Sequence, residues 1–138
     1  MRWTSEANAG FPTGVPWLPV GGDFASVNVA AQREDASSML SLHRALIQLR
    51  WRHPALRIGS YREVARSASM LAYVREHEQR AILVVLNFSA TSLAVNLPAL
   101  DGHLLLSTHA GRRDERLRAE TTLRANEGVV VALSAARA

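Results

Sequence analysis

Ile82-Leu83-Val84-Val85-Leu86 is a run of five apolar residues, rich in β-branched side chains, lying between the polar stretch Glu76-His77-Glu78-Gln79 and Asn87. A run this short is a strand rather than a helix. Because apolar side chains point to both of its faces, it predicts a central strand from Ala81 to Phe88 that is covered on both sides. An opposite sheet is the expected cover for one face, and a neighbouring domain for the other. Working outward, Ser60 to Val64, Met70 to Arg75, Leu93 to Leu97, Leu104 to Thr108 and Val129 to Leu133 also read as strands between turn-rich spacers. Glu76 to Gln79 forms a hairpin connection, and Pro98 to Gly102 closes another. Six short strands without intervening helices predict a mostly β fold, an antiparallel β-sandwich, over residues 55–138. Residues 111–128 are polar and arginine-rich, with Thr121-Thr122-Leu123 as their one strand, and are expected to be an edge strand or a mobile loop.

Upstream of the strands the period changes. Met39, Leu42, Leu46 and Leu49 recur at helical spacing, Leu40 and Ile47 widen the stripe, and Ser41, Arg44, Gln48 and Arg52 face away. This predicts one amphipathic helix over residues 36–52, capped by Asp35 and ended by Pro54. Residues 1–34 hold Gly10, Pro12, Gly14, Pro16, Pro19, Gly21 and Gly22, a density of breakers that predicts a long loop with no long helix or central strand. A loop of about 30 residues is unusual in a compact domain and signals function or a missing structural context.

Composition narrows the function. The net charge of +4 comes from arginines that alternate with acids, as in Arg112-Arg113-Asp114-Glu115-Arg116. That is a solvated charged surface rather than a basic stripe interleaved with stacking aromatics, so no nucleic-acid partner is expected. Cysteine is absent, which excludes disulfides and thiolate metal sites. No apolar run approaches the ~20 residues of a membrane span, and the first residues lead into Gly and Pro rather than a signal-peptide core. The expectation is a cytoplasmic protein with no membrane partner. His43, His53, His77, His103 and His109 lack metal-ligand spacing, so neither metal nor cofactor is expected. His53 should terminate a helix and His77 should tip a hairpin. Neither a nucleophile elbow nor a phosphate-cradling glycine loop occurs. Glu6 and Asp23 read as solvated loop charges. Asn87-Phe88-Ser89 fits a glycosylation acceptor but ends a strand, and is read as strand-end chemistry.

Four motifs in order carry a family likeness: Met1-Arg2-Trp3, Asn8-Ala9-Gly10-Phe11, Pro16-Trp17-Leu18-Pro19-Val20 and Asn28-Val29-Ala30-Ala31-Gln32. It continues through Leu46-Ile47-Gln48-Leu49-Arg50, His53-Pro54-Ala55-Leu56, Gly59-Ser60-Tyr61, Leu71-Ala72-Tyr73-Val74-Arg75 and Leu83 to Ser89. The chain resembles the C-terminal part of the α-glucosidase and oligo-1,6-glucosidase branch of the α-amylase superfamily, glycoside hydrolase family 13. The resemblance implies that residues 1–34 are the active-site-side loop after the eighth barrel strand. It also implies that residues 35–54 hold the last barrel helix and residues 55–138 the C-terminal β domain. Loops at that end of a barrel border the active site.

The family's retaining chemistry uses two carboxyl groups about 5 Å apart. The resemblance places both upstream of Met1, so no catalytic residue is assigned here and the chain is expected to be inactive alone. Substrate contacts are expected from Trp3, Asn8 and Phe11 on the pocket-side loop, where aromatic faces meet the C–H faces of sugars. For Trp3 and Phe11, stacking on sugar and anchoring the loop onto the barrel remain equal alternatives, whereas Trp17 is expected to anchor it there. The implied partner is an α-glucosidic sugar in the parent enzyme. A separately encoded barrel half and self-association through the helix's apolar stripe are further expectations. A freestanding carbohydrate-binding or interaction β-sandwich is the competing reading.

Overall fold

A computed structural model describes residues 1–11, 14, 17–98 and 100–134. Pro12 and Pro16 of the expected loop, and Ala99 of the expected Pro98–Gly102 connection, lie outside the described residues. The chain divides into two compact units, Met1–Ala45 and Leu46–Ala138.

Among the described residues of the larger unit, every strand pairing is antiparallel. Its strands are β1 (Ser60–Arg66), β2 (Met70–His77), β3 (Arg80–Asn87), β4 (Leu93–Asn96), β5 (Gly102–Ser107), β6 (Arg116–Leu117), β7 (Glu120–Leu123) and β8 (Gly128–Leu133). Six of them form one sheet in the order β1-β2-β3-β8-β5-β6, and β4 pairs with β7 in a separate ribbon. Ile82 to Leu86 lie in β3. It sits between β2 and β8, with Leu83 opposite Val131 and Val84 opposite Val130.

Alternation along β3 serves two cores. Leu83 and Val85 join Ala72, Val74, Val129 and Val131 under the β4–β7 ribbon, whose Val95 and Leu123 close that side. Ile82 and Val84 point the other way, to Ala55, Val130 and the partly buried Leu49, Leu56 and Tyr73. Each such side chain removed from water contributes about 1.5–3 kcal/mol. The second face is covered by the helices that precede β1. The chain supplies much of that cover itself, from the end of α2 (Met39–Arg52) and from α3 (Pro54–Ile58).

The helices depart from expectation. α2 begins three residues later than the predicted start, because Ser38 rather than Asp35 is its cap. Ser38 Oγ accepts from Ser41 N at 3.2 Å, while Asp35 Oδ1 accepts from Ser37 N and Oγ in a preceding turn. Pro54 ends α2 as expected but also starts α3, since its missing N–H costs nothing at a first helical position. In the smaller unit, residues 1–34 are not all loop. A 3-10 turn covers Ala7–Gly10, and α1 covers Val29–Glu34. Asn28 caps α1 by accepting from Ala31 N at 2.9 Å, and its amide donates to Phe24 O.

His77 pairs with Arg80 across the two-residue turn Glu78-Gln79, where Glu78 takes φ 53°. Asn87 is 3% exposed, donates to Thr91 O and Arg124 O and accepts from Ser89. It is a strand-end clamp, out of reach of a glycosylating enzyme. Residues 111–128, expected as an edge strand or mobile loop, are tied down by β6, β7 and a buried ion pair. Glu127 is fully buried. It accepts from Ser107 Oγ at 2.6 Å, Arg124 N at 2.7 Å and Arg112 Nη1 at 3.0 Å. Burial alone would push its carboxyl up. The Ser107 and Arg124 hydrogen bonds and the Arg112 charge outweigh that and hold it below the usual carboxylate range.

Candidate functional site

The smaller unit owes its shape to a strained turn. Asn8 and Ala9 both take φ 56° and Gly10 takes φ +80°, a left-handed run that side-chain-bearing residues rarely adopt. At Gly10 an added Cβ would meet Thr4 Oγ1 at 2.7 Å, so only glycine fits. The turn is held because Trp3 N and Thr4 N both donate to Ala9 O, and Ala9 is fully buried. Strain of this kind costs about 1–3 kcal/mol and persists where the surroundings over-determine it, as they do at ligand-binding sites. The same segment is stitched to α1, as Val29 N donates to Arg2 O and Ala30 N to Trp3 O. The Met1–Trp3, Asn8–Phe11 and Asn28–Gln32 motifs, separated in sequence, thus meet through backbone hydrogen bonds.

Beside this turn lies a cleft of about 820 Å³. Its lining includes Phe11, Trp17, Leu18 and Pro19, with Arg2 and Asp23, which form an ion pair, as its charged residues. Apolar faces beside hydrogen-bonding groups suit a sugar, which offers both C–H and O–H surfaces.

Of the three residues expected to touch substrate, Phe11 lines this cleft and is 43% exposed. Trp3 and Asn8 are not among its described lining residues. Trp3 is 44% exposed and packs by its Cβ side on Gly10, while the Asn8 amide donates to Gly14 O at 3.0 Å. Trp17 also lines this cleft. It is 90% exposed within this chain. Glu6 is exposed, and Asp23 is engaged by Arg2. Among the described residues, no three His, Asp or Glu side chains cluster to hold a metal ion. No helix among them is long and apolar enough to cross a membrane.

Comparison with known proteins places both parts of the chain in one family. Residues 1–59 match the alpha amylase catalytic domain, and residues 61–111 match the maltogenic amylase C-terminal domain. The chain belongs to the α-amylase superfamily of glycoside hydrolases. Within it, the chain is 33% identical over 99 residues to trehalose-6-phosphate hydrolase of Bacillus subtilis, a match covering 71% of this chain and 18% of that protein. It is 32% identical over 109 residues to oligo-1,6-glucosidase of Parageobacillus thermoglucosidasius, covering 78% of this chain and 19% of the other. Among solved structures, the trehalulose synthase MutB of Pseudomonas mesoacidophila MX-45 superposes with a TM-score of 0.87 at 32% identity. That likeness covers 96% of this chain and 24% of that one. The chain therefore spans about a fifth of the length of the curated relatives it matches.

Proposed function

We propose that this chain supplies the pocket-side loop, the last barrel helix and the C-terminal β domain of a cytoplasmic α-glucosidase-type glycoside hydrolase acting on α-linked glucosides. In this reading residues 1–34 are the loop, 35–54 the helix and 55–138 the β domain. Trp3, Asn8 and Phe11 sit on the substrate side. The observation that carries the reading is the uninterrupted succession of catalytic-domain and C-terminal-domain matches along one chain. The two carboxyl groups of a retaining mechanism belong to the barrel, which an attached or separately encoded partner would provide. In that assembly the exposed Ile47 and Trp51 of α2 lie against the barrel or a second copy.

Incubated alone with an aryl α-glucoside, the purified chain is expected to release no more phenol than a blank. Joined in place of the matching segment of an oligo-1,6-glucosidase, it is expected to give a folded, active chimera. Turnover by the isolated chain would overturn the assignment of catalysis to the barrel, and an insoluble chimera would overturn the assignment of the segment.

The second reading, a freestanding carbohydrate-binding module, is favoured by one observation: Trp17 stands open at the rim of an 820 Å³ cleft. Titration with maltose or isomaltose while following tryptophan fluorescence separates the two. A saturable change that Trp17→Ala abolishes favours binding by the chain alone, and a flat response assigns sugar binding to the complete enzyme.

A further inference from the structure

At the hairpin end of the β unit, a small cavity of about 90 Å³ is lined by His53, Pro54, Ala55, His77, Glu78, Arg80 and Ile82. By the volume of liquid water this is room for roughly three water molecules, too little for a sugar ring. Its chemistry is one-sided. Two imidazoles and the Arg80 guanidinium line it, and Arg52 adds its field at His53. Among the described residues neither Arg52 nor Arg80 pairs with a carboxylate. The one acid at the cavity is Glu78, largely exposed, with its carboxylate 3.8 Å from His77 Nε2. The framework is rigid on both sides. His53 and Pro54 open α3, which packs on the second core through Ala55, and His77 and Arg80 are ladder partners at the tip of the β2–β3 hairpin.

We propose that this cavity is a binding site for a small tetrahedral oxyanion, of the sulfate or phosphate type, held by Arg80, His77 and His53. Guanidinium and imidazolium donors form short charge-assisted hydrogen bonds to such oxygens. The site is separate from the sugar cleft and does not depend on the glycosidase reading. Burial first, then Arg80 and Arg52, lowers the His53 pKa, so without an anion the ring is neutral at neutral pH. A bound dianion reverses the sign of the local field and lets His53 keep its proton.

The probe is inorganic sulfate, whose charge is fixed while His53 titrates. The imidazole NMR signals of His53 and His77 in the 138-residue chain are followed against sulfate, with chloride holding ionic strength constant. Saturable shifts at both rings are expected, at least about tenfold tighter near pH 5.5 than near pH 8, with the His53 titration moving upward. Arg80→Ala, on an exposed hairpin tip, should weaken binding about tenfold, and Glu78→Gln should tighten it by removing the competing carboxylate. Shifts that grow linearly, that chloride reproduces, or that neither variant changes would overturn the site. Phosphate in place of sulfate is expected to saturate the same two signals.

Discussion

Glu127→Ala is expected to destabilise the β unit by about 3–5 kcal/mol, the range for removing one member of a buried ion pair. Glu127 shows no exposed surface, and its two oxygens hold together three separate pieces of chain. Ser107 at the end of β5, the Arg124 N–H before β8 and Arg112 from the segment between β5 and β6 all donate to it. Alanine strands the Ser107 hydroxyl and the Arg124 N–H without an acceptor, and each buried unsatisfied donor costs about 1–3 kcal/mol. Arg112 retains Glu115 at 2.8 Å, so its charge is not wholly orphaned. Glu127→Gln keeps an acceptor and the side-chain shape but loses the charge, so it should cost less than half as much.

Because the folded-state carboxyl lies below its ordinary value, the pair's stabilisation is complete above the unfolded Glu pKa of about 4.3. It is lost as pH falls through the lower folded-state pKa. Below that, wild type and Glu127→Gln should converge in stability. Amide hydrogen exchange at Val129–Val131 reads this directly, because those amides lie in β8 beside the pair. Wild-type protection in Glu127→Ala would mean that the ion pair carries no net stability.

The sheet could be read from the chain largely because apolar alternation is enforced by burial on two faces. Ile82-Leu83-Val84-Val85-Leu86 announced a central strand, and in the structure alternate residues of it serve different cores. The five flanking strand predictions likewise land on β1, β2, β4, β5 and β8. β6 escaped, since two residues carry no measurable period, and Arg112–Glu127 escaped because it joins residues 15 positions apart in a stretch that reads as uniformly polar.

One contributor to the cover of the second face escaped for a related reason. α3 is five residues long and hidden behind a proline that reads equally well as a stop. At the candidate site the motifs themselves were visible, while their geometry was not. Nothing in the letters Asn8-Ala9-Gly10 states that all three adopt positive φ, and only the backbone bonds from Trp3 and Thr4 to Ala9 explain why they must.

Gly102→Ala should be among the most damaging single-methyl changes in the β unit. Gly102 begins β5 and is buried between two ladders, opposite Leu133 of β8 and Leu117 of β6. A Cβ there would lie 2.2 Å from Ala132 O and 2.9 Å from both Ala132 C and Val131 Cγ1. A flexible side chain could swing aside, but here the obstacle is the carbonyl of the adjacent strand. Moving that carbonyl breaks the β5–β8 register, and with it the placement of Leu104 and Val131 in the main core. A loss of at least about 4 kcal/mol is expected, in the class of overpacked or strained core substitutions. The local signature is accelerated amide exchange in β5 and β8 before β2 and β3 are affected. Gly22→Ala provides the contrast. A Cβ there meets nothing within 4 Å, so stability should change by no more than about 0.5 kcal/mol. Equal, small effects from the two substitutions would show that β5 can shift away from β8 at little cost, and the close packing of the two strands would then not be what excludes a side chain at position 102.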